Sequence, residues 1–190
     1  MNATAPAPLM TTEEMLALPD NGMERWLIRG QLREKPRTVR NRWHSETLIR
    51  IGYLLEKWLE DPPGPRGKVL GGEAGCRLRR HPDVTVGIDV VYISAELAAH
   101  QPKDTSLIDG VPTLAVEILS PNDRVEEIAE KVDEYLRAGV ALVWVVDPHF
   151  CTVDVYRPDA APVRFNVEQE LTAEPHLPGF RVPVAHVFHR

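Results

Sequence analysis

The sequence has only two cysteines, Cys76 and Cys151, far apart and in no CxxC pair. That argues against a structural zinc and for a reducing cytoplasm. Neither thiol has a histidine at a suggestive spacing, so a cysteine nucleophile is not expected. No apolar run reaches the ~20 residues that a membrane-spanning helix requires. The start, MNATAPAPLM, lacks a basic segment followed by an apolar one, so no signal peptide is expected. The chain also lacks GxxxxGK followed by Ser or Thr, HExxH and GxSxG, which removes P-loop, zinc-peptidase and serine-elbow chemistry. GGEAG (71–75) is a glycine-rich turn without the spacing of a dinucleotide fingerprint. There are no repeats and no linker that separates two halves.

What is present suits one substantial core. Of 190 residues, 43% are hydrophobic, enough for a single domain over 12–190 preceded by a disordered lead-in at 1–11. The formal net charge of −6 speaks against nonspecific coating of nucleic acid, yet the charges are uneven. LREKPRTVRNRWH (32–44) and RLRRH (77–81) are basic, and the acids gather in NDRVEEIAEKVDE (122–134).

The patterning predicts a mixed α/β architecture. EEMLALP reads as a short helix ended by Pro19, and RWLIRGQLREK as a hairpin or a bulged strand pair around Gly30. Helical spacing runs from Trp43 to Leu59 and is broken by DPPGP at 61–65. Strands are expected at 67–70, 75–79 and 84–93, then a short helix and surface loop over 94–110. A strand at 113–119 leads into a helix at 124–138, with Asn122 or Asp123 as N-cap and Gly139 beyond its end. Val125, Ile128, Ala129, Val132, Tyr135 and Leu136 form the apolar stripe of that helix. VALVWVVDP (140–148) is a second buried strand, parallel to the first, and TVDVYRP with VRFNV form a trailing antiparallel hairpin.

Two acids stand in apolar surroundings. Glu117 sits in PTLAVEILSP (112–121) and Asp89 in TVGIDVVYIS (85–94). An ionised carboxylate in a strand buried on both faces is costly unless a cation, a metal or several hydrogen bonds compensate it. Singly, each reads as a structural ion pair or strand-end cap. Together, in separate core strands, they make a hard-oxygen pair suited to Mg²⁺ or Mn²⁺. Lys131 joins them by geometry. Glu117 lies roughly 10 Å before the strand-to-helix turn, and Lys131 roughly 12 Å beyond it along the helix. An antiparallel return brings both to the same depth; the bland alternative is a solvated lysine paired with Glu127 or Glu134. Two carboxylates, a lysine and a divalent ion suit phosphodiester hydrolysis.

The block VPTLAVEILSPNDRVEEIAEKVDEYLRAGVALVWVVDP (111–148) strongly resembles the family of "putative restriction endonucleases" within the PD-(D/E)XK nuclease superfamily. The matching features are Glu117 to Pro121 (E-V/I-L-S-P), Lys131 with Tyr135 (K-x-x-x-Y), Ala138 to Val140, and Trp144 to Pro148. The likeness extends more weakly from about residue 11 to LPGFRVPVAHVF (177–188). It implies a restriction-endonuclease-like mixed β-sheet flanked by α-helices. The implied activity is Mg²⁺-dependent endonuclease, with Mn²⁺ as a substitute, acting on nucleic acid (DNA above all) as a cytoplasmic homodimer. Asp89, Glu117 and Lys131 are the implied site, Asp89 and Glu117 as metal ligands. Leu119 occupies the place of the superfamily strand lysine, whose role passes to Lys131. Ile88 replaces the usual Pro before Asp89, and Asp83 in HPDV lies too early to be the ligand. The early family segment E-L-I-D-G-E-L reads WLIRGQL here, so Trp26, Arg29 and Gln31 replace its acids; Glu24 is the candidate substitute. His44 matches a family histidine and reads equally as a polar contact at a helix start. Two alternatives are a binding module on the same fold, degenerate at its first acid, and a hydrolase of small phosphate esters.

Overall fold

Arg29 and Gly30 both adopt positive φ, 52° and 73°, the combination a two-residue type I′ hairpin demands. They join β1 (Met23–Ile28) to β2 (Gln31–Pro36) in the antiparallel register expected from the alternation. These elements belong to a computed structural model that describes residues 8–60 and 67–188. Most of the expected lead-in and the DPPGP breaker lie outside the described residues. Helix α1 (Thr12–Leu16) precedes the hairpin and starts at a capping box between Thr11 and Glu14.

Helix α2 (Arg42–Glu60) buries Ile51, Leu54 and Leu55 along one face. Asn41 accepts the His44 backbone N–H at 3.0 Å, satisfying a donor of the first turn. The two strands expected at 67–70 and 75–79 are one strand, β3 (Lys68–Arg79), which pairs antiparallel with β4 (Val84–Ile93). Between Gly71 and Ala74 the register shifts. Gly72 and Glu73 take φ of 83° and 61°, so the segment that interrupts the alternation is a bulge, not a loop. Helix α3 (Ala95–Ala99) and the two-residue β5 (Ile108–Asp109) follow.

The strand–helix–strand unit is β6 (Leu114–Ile118), α4 (Val125–Ala138) and β7 (Leu142–Asp147), with β6 and β7 parallel as expected. Gly139, at φ 100°, ends α4. The expected cap does not form. Arg124 is the N-cap and makes no side-chain bond, because Asp123 turns back to accept the Ser120 N–H at 2.8 Å. The stripe is also shorter than expected: Val125 is 80% exposed, and α4 buries mainly Val132 and Tyr135 nearer its end. β8 (Thr152–Arg157) and β9 (Ala160–Phe165) form the trailing hairpin, and β10 (Glu170–Thr172) pairs with β11 (Arg181–Pro183) separately.

The main sheet runs β2-β1-β4-β6-β7-β8-β9, with β3 on β4 and β5 on β3. One core layer joins α2 to Leu114, Val116 and Ile118 of β6; the other joins α4 to Ala115 and to Val143 of β7. All five residues of β6 are buried. Burying each aliphatic side chain contributes about 1.5–3 kcal/mol, which keeps this strand in place even with a carboxylate in it.

The site is positioned by a fork in the sheet. β4 shares one edge between two strands: β1 pairs with it at Thr85, and β6 only from Val90 to Tyr92. Residues 86–89 lie in the gap, and backbone groups freed there need other partners.

Candidate active site

Asp89 and Glu117 lie at this fork, each one residue beyond the β4–β6 ladder. Their side chains and that of Lys131 line one cavity of about 20 Å³, together with Trp26, Arg40 and Glu73. The three residues singled out from the sequence are therefore brought together by two strands and a helix.

Glu117 is buried, and both its oxygens are engaged. Oε2 accepts from Lys131 Nζ at 2.9 Å, and Oε1 accepts from the hydroxyl of Tyr135. Lys131 and Tyr135 are four residues apart and thus neighbours on one face of α4. Burial pushes the Glu117 carboxyl above the usual range; Asp89 adds to that, and Lys131 and Tyr135 offset it only in part. Lys131 also donates to the Gly87 carbonyl at 3.2 Å, filling the gap in the ladder. Burial opposes its charge, but Glu117, Asp89 and Glu24 together hold its pKa above the ordinary value. Burial, reinforced by Glu117, keeps Tyr135 well above its usual pKa, so it remains a donor. Tyr135 was legible only as a stripe residue and as the Tyr of K-x-x-x-Y; its spacing from Lys131 is the signal that places it here.

Asp89 is held differently. Oδ2 accepts the Ile118 backbone N–H at 2.8 Å, a second repair of the fork. Oδ1 lies 3.1 Å from His44 Nε2, but poor alignment leaves both atoms without a hydrogen bond among the described residues. Burial disfavours the Asp89 anion, yet His44, the Ile118 amide and Lys131 outweigh it and lower the pKa. The two carboxyls are thus pushed apart, Asp89 toward the anion and Glu117 toward the neutral acid.

The other sequence candidates fall around this centre. Glu24 lies at the rim, 3.6 Å from Lys35 and 3.9 Å from Arg40, and does not line the small cavity. Trp26 does line it and is buried, with Lys35 over its ring. Arg29 belongs to the hairpin turn, where its guanidinium reaches Glu134; Nε donates to Oε1 at 2.7 Å. Glu134 is consequently an arginine partner and not a partner of Lys131. Asp83 accepts the Thr12 N–H at 2.8 Å and its hydroxyl at 2.6 Å, which anchors α1 away from the site. Sequence reading missed Glu73, on the β3 bulge, and Arg40, which meets it in a close ion pair. The only signals were glycines flanking an acid and an arginine before a helix start.

Asp89 and Glu117 are the carboxylates that could hold a divalent cation. Among the described residues no three His, Cys, Asp or Glu side chains form a ligand cluster. Mg²⁺ usually takes one or two carboxylates, with waters and substrate phosphates completing its shell. The buried Asp89 Oδ1 without a hydrogen bond, the hard oxygens and a water-sized cavity fit such an ion.

The forked mixed sheet flanked by helices is a nuclease-type fold. A solved structure from Anabaena variabilis ATCC 29413, described as "a putative nuclease belonging to DUF820", matches it with a TM-score of 0.76. The two share 19% identity over 93% of this chain and 96% of that one, a likeness of fold. The family model Uma2, described as "Putative restriction endonuclease", matches residues 12–185, and the chain belongs to that family. A comparison with curated proteins found no match.

Proposed function

We propose that the protein is a Mg²⁺-dependent endonuclease, accepting Mn²⁺, that hydrolyses phosphodiester bonds of DNA. The observation that carries this reading is the convergence of Asp89, Glu117 and Lys131 in one small cavity. Asp89 and Glu117 would hold the ion; when bound, it polarises the phosphate and lowers the pKa of a water. The Ile118 amide fixes the Asp89 carboxylate, and Tyr135 fixes that of Glu117. Lys131 supplies positive charge toward the reacting phosphate or orients the attacking water, while the Gly87 carbonyl holds its Nζ. His44 steadies Asp89, and Glu24 lends charge at the rim. Residues 12–190 act as one nuclease-like domain. Two such sites related by a two-fold axis would cut both strands of a duplex, so a homodimer is the working form. The unpaired thiols suit a reducing cytoplasm.

Nicking of supercoiled plasmid tests this reading. Wild type should nick with Mn²⁺ and not in EDTA, Asp89→Asn and Glu117→Gln should be inactive, and Lys131→Met should lose about 100-fold or more. One observation favours a second reading: the buried Trp26 lines the cavity where the resemblance expects an acid. A catalytically degenerate module that binds nucleic acid or protein would show no metal-dependent nicking at all.

A further inference from the structure

The cavity that holds Asp89, Glu117 and Lys131 is only about 20 Å³, too small for a phosphodiester group. Its lining must part before any backbone phosphate reaches the carboxylates. Arg40 and Glu73 both line it and are bound to each other. Two surface clefts share lining residues with the cavity: one of about 640 Å³ through Arg40 and Glu73, the other of about 320 Å³ through Lys35, Arg40 and Asp123. Among the described cavity-lining residues, Arg40 alone also lines both clefts.

We propose that Arg40 is the substrate-phosphate contact of this site, and that Glu73 holds its guanidinium until a nucleic-acid phosphate takes the carboxylate's place. The inference rests on the nuclease reading and names a binding residue within it. Four features carry it. A guanidinium binds carboxylate and phosphate through the same planar fork, so one anion can replace the other. Arg40 immediately precedes Asn41, which caps the nineteen-residue α2, so the positive end of that helix adds to its attraction for an anion. Glu73 occupies a left-handed backbone conformation on a bulge beside Gly71 and Gly72, strain of the kind kept where a side chain must be aimed. A side chain at Gly87 would meet Glu73 Oε2 at 2.8 Å, so the glycine leaves room for this carboxylate over β4.

The exchange makes opposite predictions for the two partners. Arg40→Gln removes the phosphate contact and should weaken binding; Glu73→Gln removes the nearer of the two carboxylates beside Arg40, leaving Glu24 at 3.9 Å, and should strengthen it, but only while Arg40 is present. The test is fluorescence anisotropy of the full chain with a labelled duplex oligonucleotide in EDTA, over a salt series, where no cleavage is required. Arg40→Gln should bind about ten-fold more weakly and lower the salt slope by about one. Glu73→Gln should bind several-fold more tightly, and the double variant should match Arg40→Gln. Arg40→Lys, which keeps the charge and loses the fork, should fall between, and it decides the matter if Arg40→Gln does not fold. Wild-type affinity in Arg40→Gln, or a Glu73→Gln gain that persists without Arg40, overturns the proposal. A wild type that binds in this way and yet never nicks plasmid would sink the nuclease reading and leave the Arg40 contact standing.

Discussion

A carboxylate within a five-residue buried strand needs partners, and Glu117 finds two on one helical turn, Lys131 and Tyr135. They compensate it incompletely, since burial and Asp89 still raise its pKa. Glu117→Gln removes that conflict at nearly constant shape. Without metal this variant should melt at or above the wild-type temperature at pH 8, read by circular dichroism. Lys131→Met leaves Glu117 buried with Tyr135 alone and should cost about 1–3 kcal/mol, or several degrees of melting temperature. A loss of several kcal/mol in Glu117→Gln would make Glu117 a structural ion-pair partner instead. At this scale the sequence was informative where it broke its own pattern. Asp89 and Glu117 were visible because acids interrupt apolar strands. Tyr135 was concealed by looking apolar, and Arg40 and Glu73 by lying on a loop and a bulge, where no periodicity marks a side chain's direction.

Among the elements, α4 carries the site lysine yet begins without a side-chain cap, because Asp123 serves the preceding turn. Arg124→Ser should create a capping box with Glu127, three residues on. The expected gain is about 1 kcal/mol, or a rise of about 2–4 °C in melting temperature. No rise would mean that the entry of the chain into α4 is held by other contacts. The parallel β6–β7 pair and the hairpins were readable from local patterns: continuous apolar runs, alternation and turn residues. The fork was not, since it depends on two strands distant in sequence, β1 and β6, sharing one edge of β4. Local periodicity contains no term for that.

Across the whole molecule, ion pairs join the N-terminal helix and β5 to the end of β3. Arg77 is buried and donates to Asp109 at 3.1 and 2.7 Å and to Glu13 at 2.6 Å, and Arg80 reaches Asp109 at 2.6 Å. Arg77, with Arg80, holds the Asp109 carboxyl below its usual range despite partial burial. A lowered folded-state pKa means that the folded chain binds fewer protons than the unfolded one. Its stabilisation is present above the unfolded value of about 3.9 and is lost as pH falls through the folded value. Asp109→Asn should therefore cost about 2 kcal/mol at pH 7, and the difference should shrink below about pH 4 in urea denaturation. A difference constant with pH would assign the loss to packing.

What Glu117 can hold beyond Lys131 and Tyr135 decides the function, and Mn²⁺ binding followed by electron paramagnetic resonance of the free ion measures that directly. Wild type should take up Mn²⁺ at a single site, Lys131→Met should retain it, and Asp89→Asn and Glu117→Gln should lose it. Wild type that leaves all the Mn²⁺ free, or Glu117→Gln that binds it as well as wild type does, contradicts the account.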